Sequence, residues 1–248
     1  MSLLAIENVT KRYRRRRLEH LAIRGVSLEV ERGELVAVWG PRRSGRSTLL
    51  RIAAGVERPD EGTVYFEGRD LARRRDRVLG SRIGYCHAAP FSSGDGGVVL
   101  DRVAEGLLAQ HVSPRQARRQ AQDVLVRVGA EECLQLDCHE LDGVEAARVA
   151  LACALVTEPV LLVIDEPTNC VEPLERDPLL ALLRLISNEG VAVLLTTGDA
   201  QGLSGVDRAI SIDNGELRGV LRPEQGRVVP LRRPTTRADI SESGTQGQ

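Results

Sequence analysis

Apolar residues gather early in the chain into three short runs, 3–9, 20–30 and 34–39, divided by charged turns such as Glu31-Arg32-Gly33. Runs of this length bounded by turn residues predict β-strands. The spacing then changes: Leu49, Leu50, Ile52 and Ala53 follow a glycine-rich stretch and predict a helix. A second strand pair, 62–68 and 83–87, precedes a loop of Ser, Gly and Pro over 88–97. From 98 to about 155 the pattern is helical, and Ser113-Pro114 places proline at a first helical position. Two more apolar strands, 160–164 and 191–196, flank a helix around 178–188, and Asp213-Asn214-Gly215 reads as a hairpin turn. Buried strands alternating with helices predict an α/β fold whose parallel sheet is covered on both faces. Beyond about 223 the chain turns to Arg, Pro, Ser, Thr, Gly and Gln, so 223–248 is expected to be a disordered tail.

Composition narrows the picture. With 248 residues and 42% hydrophobic content the chain can bury a real core. A net charge of −1 gives no bulk field that calls for nucleic acid. The start lacks an apolar segment behind a basic leader, and no run approaches the roughly 20 apolar residues that span a bilayer. The expectation is a soluble chain inside the cell whose membrane role, if any, comes through a partner. Five scattered cysteines, an odd number, suit a reducing compartment. Cys133, Cys138 and His139 are too loosely spaced to argue for a metal site, and Arg14 to Arg17 reads as a solvated strand turn.

Chemistry enters at Gly40-Pro41-Arg42-Arg43-Ser44-Gly45-Arg46-Ser47-Thr48. This fits G-x-x-x-x-G-K-[ST] except that Arg46 stands where lysine is expected. Glycines let backbone N–H groups curl round phosphates, the following helix N-terminus adds partial positive charge, and Ser47 is placed to hold Mg²⁺. Downstream, an apolar strand ends in Asp165-Glu166. Asp165 is expected to meet Mg²⁺ and Glu166 to orient or deprotonate an attacking water. Together the two motifs predict a P-loop NTPase core that takes a nucleoside triphosphate and Mg²⁺.

The order of these features resembles the ABC transporter ATP-binding family over nearly all of 3–220. GPRRSGRSTLLRIAAGVERPDEGTVYFEG, LDGVEAARVALACAL and LLVIDEPT carry the resemblance, and AIRGVSLEVERGELVAV is most similar to the lipoprotein-release and macrolide-export branch. The resemblance implies a P-loop core of ABC type over 1–222, with an antiparallel β subdomain and a helical subdomain near 88–156. It implies a homo- or hetero-dimer sandwiching two ATPs, and an integral membrane permease as partner. The chain would then lie peripherally on the inner face of the cell membrane. Tyr13 falls where the family stacks an aromatic ring on adenine; it also reads as a half-buried tyrosine at a strand end.

Several family positions differ. Arg46 keeps the positive charge but presents a planar fork rather than a compact ammonium; Lys11 is the chain's sole lysine, so composition also favours arginine. Ala88 stands where the family's strand ends in glutamine, with His87 one residue away and thus turned to the other face. Gly198 replaces the histidine that touches the γ-phosphate. Glu172 stands in place of a shorter aspartate. In the signature, Leu141-Asp142-Gly143-Val144-Glu145, Asp142 replaces a serine that meets the partner's γ-phosphate. Like charges about 4 Å apart cost on the order of 4 kcal/mol at an effective dielectric near 20, before Mg²⁺ screening. Asp142 and Glu145 also have capping-box spacing, which would close that helix end with its own side chains. Two functions stay open: an energising ATP-binding subunit with slow hydrolysis, or a nucleotide-holding regulatory subunit beside a competent ATPase chain.

Overall fold

The computed structural model describes residues 2–15, 18–72, 82–87, 96–222 and 227–230. Strands β1 (Leu4–Arg15) and β2 (Leu18–Val30) pair antiparallel, and β1 also pairs with β4 (Glu61–Phe66), which β5 (Arg69–Asp70) extends. The first strand runs past the expected end near 9 to Arg15, so Tyr13 lies within it, paired with His20, rather than at its end. Residues 16 and 17 of the arginine run lie outside the described residues.

The second sheet has seven strands in the order β11-β10-β9-β3-β8-β7-β6. Its parallel part joins β3 (Leu35–Trp39), β6 (Ile83–Cys86), β7 (Leu161–Ile164), β8 (Ala192–Thr197) and β9 (Arg208–Asp213). Both faces of these strands are covered, which is why LVAV, LLVI and AVLL read as continuous apolar runs rather than alternating ones. Alternate residues divide between two cores. Leu35, Leu162, Val193 and Leu195 face the larger core with the helices, whereas Val36, Val38, Leu161, Val163 and Leu194 face the antiparallel sheet. Helix α1 (Arg46–Ala53) lies in that second core, burying Leu49, Leu50, Ile52 and Ala53.

The helical stretch resolves into α2 (Val99–Leu108), α3 (Pro114–Arg127) and α4 (Gly143–Leu155), all packed in the larger core. Helix α5 (Pro173–Asn188) starts earlier than its apolar pattern suggests and carries Pro178 inside it. The hairpin turn between β9 and β10 (Glu216–Arg222) places Asn214 and Gly215 at φ 50° and 78°. Two consecutive positive angles are what an Asn-Gly hairpin supplies. Within the expected tail, Arg227–Pro230 pairs antiparallel with β10 as β11, and the rest of 223–248 lies outside the described residues. No helix among the described residues is long and apolar enough to cross a membrane.

Candidate functional site

Parallel register brings the ends of several strands to one edge. Trp39 of β3 is level with Thr197 of β8, and Ile164 of β7 is level with Leu195 of β8 and Cys86 of β6. The residues that follow, Gly40, Asp165, Gly198 and His87, therefore gather where open α/β sheets place ligands.

Sterics shape the loop from Gly40 to Gly45. A Cβ on Gly40 would come 2.1 Å from the Ile212 carbonyl, and one on Gly45 would come 2.4 Å from that of Ala22. Gly45 also has φ 105°, and Arg43 takes φ 66°. Within the loop the Ser44 N–H donates to the Pro41 carbonyl at 3.2 Å. The β9–β10 hairpin braces it from outside, Gly215 N–H donating to the Ser44 carbonyl at 2.8 Å. Helix α1 then begins at Arg46 with Gly45 as N-cap, no side-chain cap and no acid in its first turn. Its first N–H groups are left to an external acceptor. Two buried polar atoms in the same stretch have no partner among the described residues, Ser44 Oγ and Arg46 Nη1. Buried polar groups are ordinarily satisfied, so this cradle fits an anion such as the phosphates of ATP.

The carboxylates sit opposite. Asp165 is 3% exposed. Its Oδ1 accepts from Thr196 Oγ1 at 2.6 Å and from Ser47 Oγ at 3.1 Å. Hydroxyl and carboxylate oxygens side by side suit Mg²⁺, which takes few protein ligands and keeps its waters. Glu166 has φ 49°, a left-handed backbone that costs energy outside glycine, and its N–H donates to Thr196 Oγ1 at 2.9 Å. Thr196 thus positions both acids. Motif reading missed it, since a threonine closing an apolar strand carries no distinctive signal.

Arg46 is buried at 6% exposure and donates from Nη2 to Glu166 Oε1 at 2.5 Å. Arg42, Arg46, Glu166 and Gly198 line one cavity of about 180 Å³. Tyr13, His20 and Arg43 line another beside Ser44 to Thr48, also about 180 Å³. The Tyr13 hydroxyl donates to Glu57 at 2.7 Å, lies 3.3 Å from Thr48 Oγ1 and accepts from Arg51 at 3.0 Å, tying β1 to α1. Burial works against charge on Glu57, but hydrogen bonds from Tyr13 and Arg51 outweigh it and hold the carboxyl below its ordinary range. His20 and Glu57 were not legible as site residues, because cross-strand and strand–helix partners leave no local spacing.

Asp142 is the N-cap of α4. Glu145 N–H donates to Asp142 Oδ1 at 2.8 Å, and Asp142 N–H donates to Glu145 Oε2 at 2.9 Å. Both arms of a capping box are formed, so this helix end is closed where that of α1 is open. A Cβ on Gly143 would come 1.8 Å from the Cys170 carbonyl, fixing the signature against the loop after Asp165. Leu141 and Val144 pack on the helical core. Leu141, Asp142 and Gly143 share a further cavity with Cys86, His87 and Glu166. Burial pushes the Cys86 thiol up to about 12; the same cause, with Asp165 second, raises the Tyr85 hydroxyl. Ala88 lies outside the described residues. Cys133 and Cys138 are buried, and the His139 ring pairs with Asp137 at 2.6 Å.

Comparison with known proteins agrees with this geometry. The ABC transporter family profile matches residues 23–169. The lipoprotein-releasing system ATP-binding protein LolD of Chromohalobacter salexigens is 33% identical over 225 residues, covering 87% of this chain and 92% of its own. The uncharacterised ABC transporter ATP-binding protein YvrO of Bacillus subtilis is 29% identical, covering 87% and 95%. The dimeric post-hydrolysis structure of the ATP-binding cassette MJ0796, bound to ADP and Pi, superposes with a TM-score of 0.78 at 26% identity, covering 88% of this chain and 98% of that one. The chain belongs to the ABC transporter family, as an ATP-binding subunit.

Proposed function

We propose that this chain holds MgATP on an integral membrane permease at the inner face of the cell membrane, working as a dimer, and that it cleaves the nucleotide slowly. The phosphate loop from Gly40 to Thr48 binds the phosphates, with Tyr13 against the adenine. Ser47 and Asp165 hold Mg²⁺, residues 1–222 form the ATP-binding domain, and its helical subdomain lies near 88–156. The resemblance to LolD supports a permease of the lipoprotein-releasing kind. The dimeric cassette MJ0796 supports pairing of two such chains across the nucleotide. The relatives are ATP-binding proteins in their own right, so a purely regulatory subunit beside a competent chain is not favoured.

One observation carries the slow step: the ion pair of Arg46 with Glu166 at 2.5 Å. Hydrolysis needs a carboxylate oxygen to face the water that attacks the terminal phosphorus, while the bond to the ADP oxygen breaks. Here one oxygen of that carboxylate is engaged by a buried guanidinium, while the carboxylate itself stays partly exposed. Single-turnover cleavage of bound ATP by the purified chain is therefore expected to be slow. Glu166→Gln, whose amide oxygen still accepts from Arg46, is expected to lower it by about 10²-fold or more with nucleotide binding retained. Brisk multiple-turnover hydrolysis by the wild type would show that Arg46 does not restrain Glu166; cleavage that persists in Glu166→Gln removes that residue as base.

A second test concerns the signature. Serine at position 142 keeps an N-cap, and Glu145 completes the same capping box, so Asp142→Ser removes charge while sparing the helix. Combined with Val144→Gly, it is expected to raise the dimer fraction that ATP induces, read by sedimentation in the Glu166→Gln background. The gain is bounded by the roughly 4 kcal/mol of like-charge repulsion at 4 Å, reduced because Asp142 is exposed to solvent. An unchanged dimer fraction would mean that Asp142 serves the helix alone.

A further inference from the structure

Two of the departures from the family pattern meet in space. The backbone at Gly198 lies outside the left-handed region, so conformation does not demand glycine there. Space does. A Cβ built on Gly198 would come 3.3 Å from Arg46 Nη1 and 3.6 Å from Nη2. The guanidinium is wedged between two strand ends, with Nη2 on Glu166 after β7 and Nη1 turned to Gly198 after β8. Nη1 is buried without a partner among the described residues, and Arg46 as a whole is 6% exposed. Arg42 lines the same cavity of about 180 Å³ beside Arg46, Glu166 and Gly198.

We propose that Arg46 and Gly198 form one compensated unit. Arg46 Nη1 donates to the terminal phosphate of a nucleoside triphosphate, and Gly198 is the vacancy that lets the longer, planar side chain reach it. The contact that a histidine at 198 makes from the end of β8 is thereby supplied from the phosphate loop. Arginine suits the task because its fork can hold a carboxylate with one arm and a phosphate oxygen with the other. The two substitutions are then a single exchange rather than two separate losses. The inference rests on the reading that the chain binds MgATP, and it assigns which side chain distinguishes ATP from ADP.

The test is a double-mutant cycle. Dissociation constants for MgATP and MgADP are measured by calorimetry for the wild type, Arg46→Lys, Gly198→His, Arg46→Lys/Gly198→His and the milder Gly198→Ala. Thermal unfolding without nucleotide is followed in parallel. Wild type is expected to bind MgATP more tightly than MgADP. Gly198→His is expected to weaken MgATP about tenfold or more while changing MgADP little, and the double variant to recover most of that loss; a tenfold coupling corresponds to about 1.4 kcal/mol. Gly198→Ala should move the same way by less. A Gly198→His chain that fails to fold while the double variant folds also supports the unit. If both fail to fold, Gly198→Ala decides: a selective loss of MgATP affinity supports the proposal, and wild-type affinity overturns it. Single effects that simply multiply in the double variant overturn it too, leaving MgATP binding by the wild type intact. A wild type that binds neither nucleotide overturns both this inference and the reading beneath it.

Discussion

Gly45→Ala is expected to melt about 10 °C below the wild type and to lose nucleotide binding. Two independent costs meet at that position. The backbone sits at φ 105°, a region that costs a side-chain-bearing residue about 1–3 kcal/mol. The added methyl would also lie 2.4 Å from the Ala22 carbonyl and 2.8 Å from Ile23 Cδ1. The first of these is backbone within the antiparallel sheet and does not swing away, so overpacking adds about another 1–3 kcal/mol. For a chain of this size each kcal/mol shifts the midpoint by about 2–4 °C. Relief of the clash requires the loop to draw back from β2, which displaces Ser44 and the first turn of α1 together. Calorimetric melting beside an ATP titration checks both effects. A variant that melts with the wild type would mean that the approach of the loop to Ala22 is not a fixed feature.

Asp165→Asn is expected to weaken Mg²⁺-dependent ATP binding on the order of 100-fold, the upper range for disturbing a metal site, while binding in excess chelator changes little. The carboxylate is the charged group beside Ser47 Oγ, and its Oδ1 already takes two hydroxyl hydrogen bonds, from Thr196 and Ser47. Asparagine keeps the shape and one acceptor oxygen but removes the negative charge that would hold a divalent cation. The Asp165 backbone N–H, which donates to the Cys86 carbonyl at 2.9 Å, is untouched, so the strand end should stay in place. Titrations with and without Mg²⁺ separate the two contributions. Equal affinity of wild type and variant in Mg²⁺ would remove Asp165 from the metal site.

The capping box at Asp142 and Glu145 was legible because both partners lie within one helical turn, and a three-residue spacing records their contact directly. The helix N-terminus that follows the glycine-rich loop was legible for the same reason; the structure adds that it carries no side-chain cap and no acid in its first turn. The contact of Arg46 with Glu166 was not legible. These residues are separated by 120 positions, and each motif alone specifies only its own loop. Thr196 was hidden similarly, joined to Asp165 across 31 positions by the adjacency of β7 and β8.

Most strands and helices, the phosphate loop and the acidic strand end were legible along the chain, because hydrophobic period, glycine placement and cap spacing are set by sequence neighbours. Arg46, Asp142 and Gly198 are expected from the order of the motifs to differ from the family's residues. Which of these residues meet follows from the fold and not from their spacing along the chain. Sheet order puts β3, β7 and β8 side by side, so the residues after them share one small volume in which a guanidinium, a carboxylate and a missing side chain must fit together. No periodicity encodes that order; it follows from how two cores close on opposite faces of one sheet.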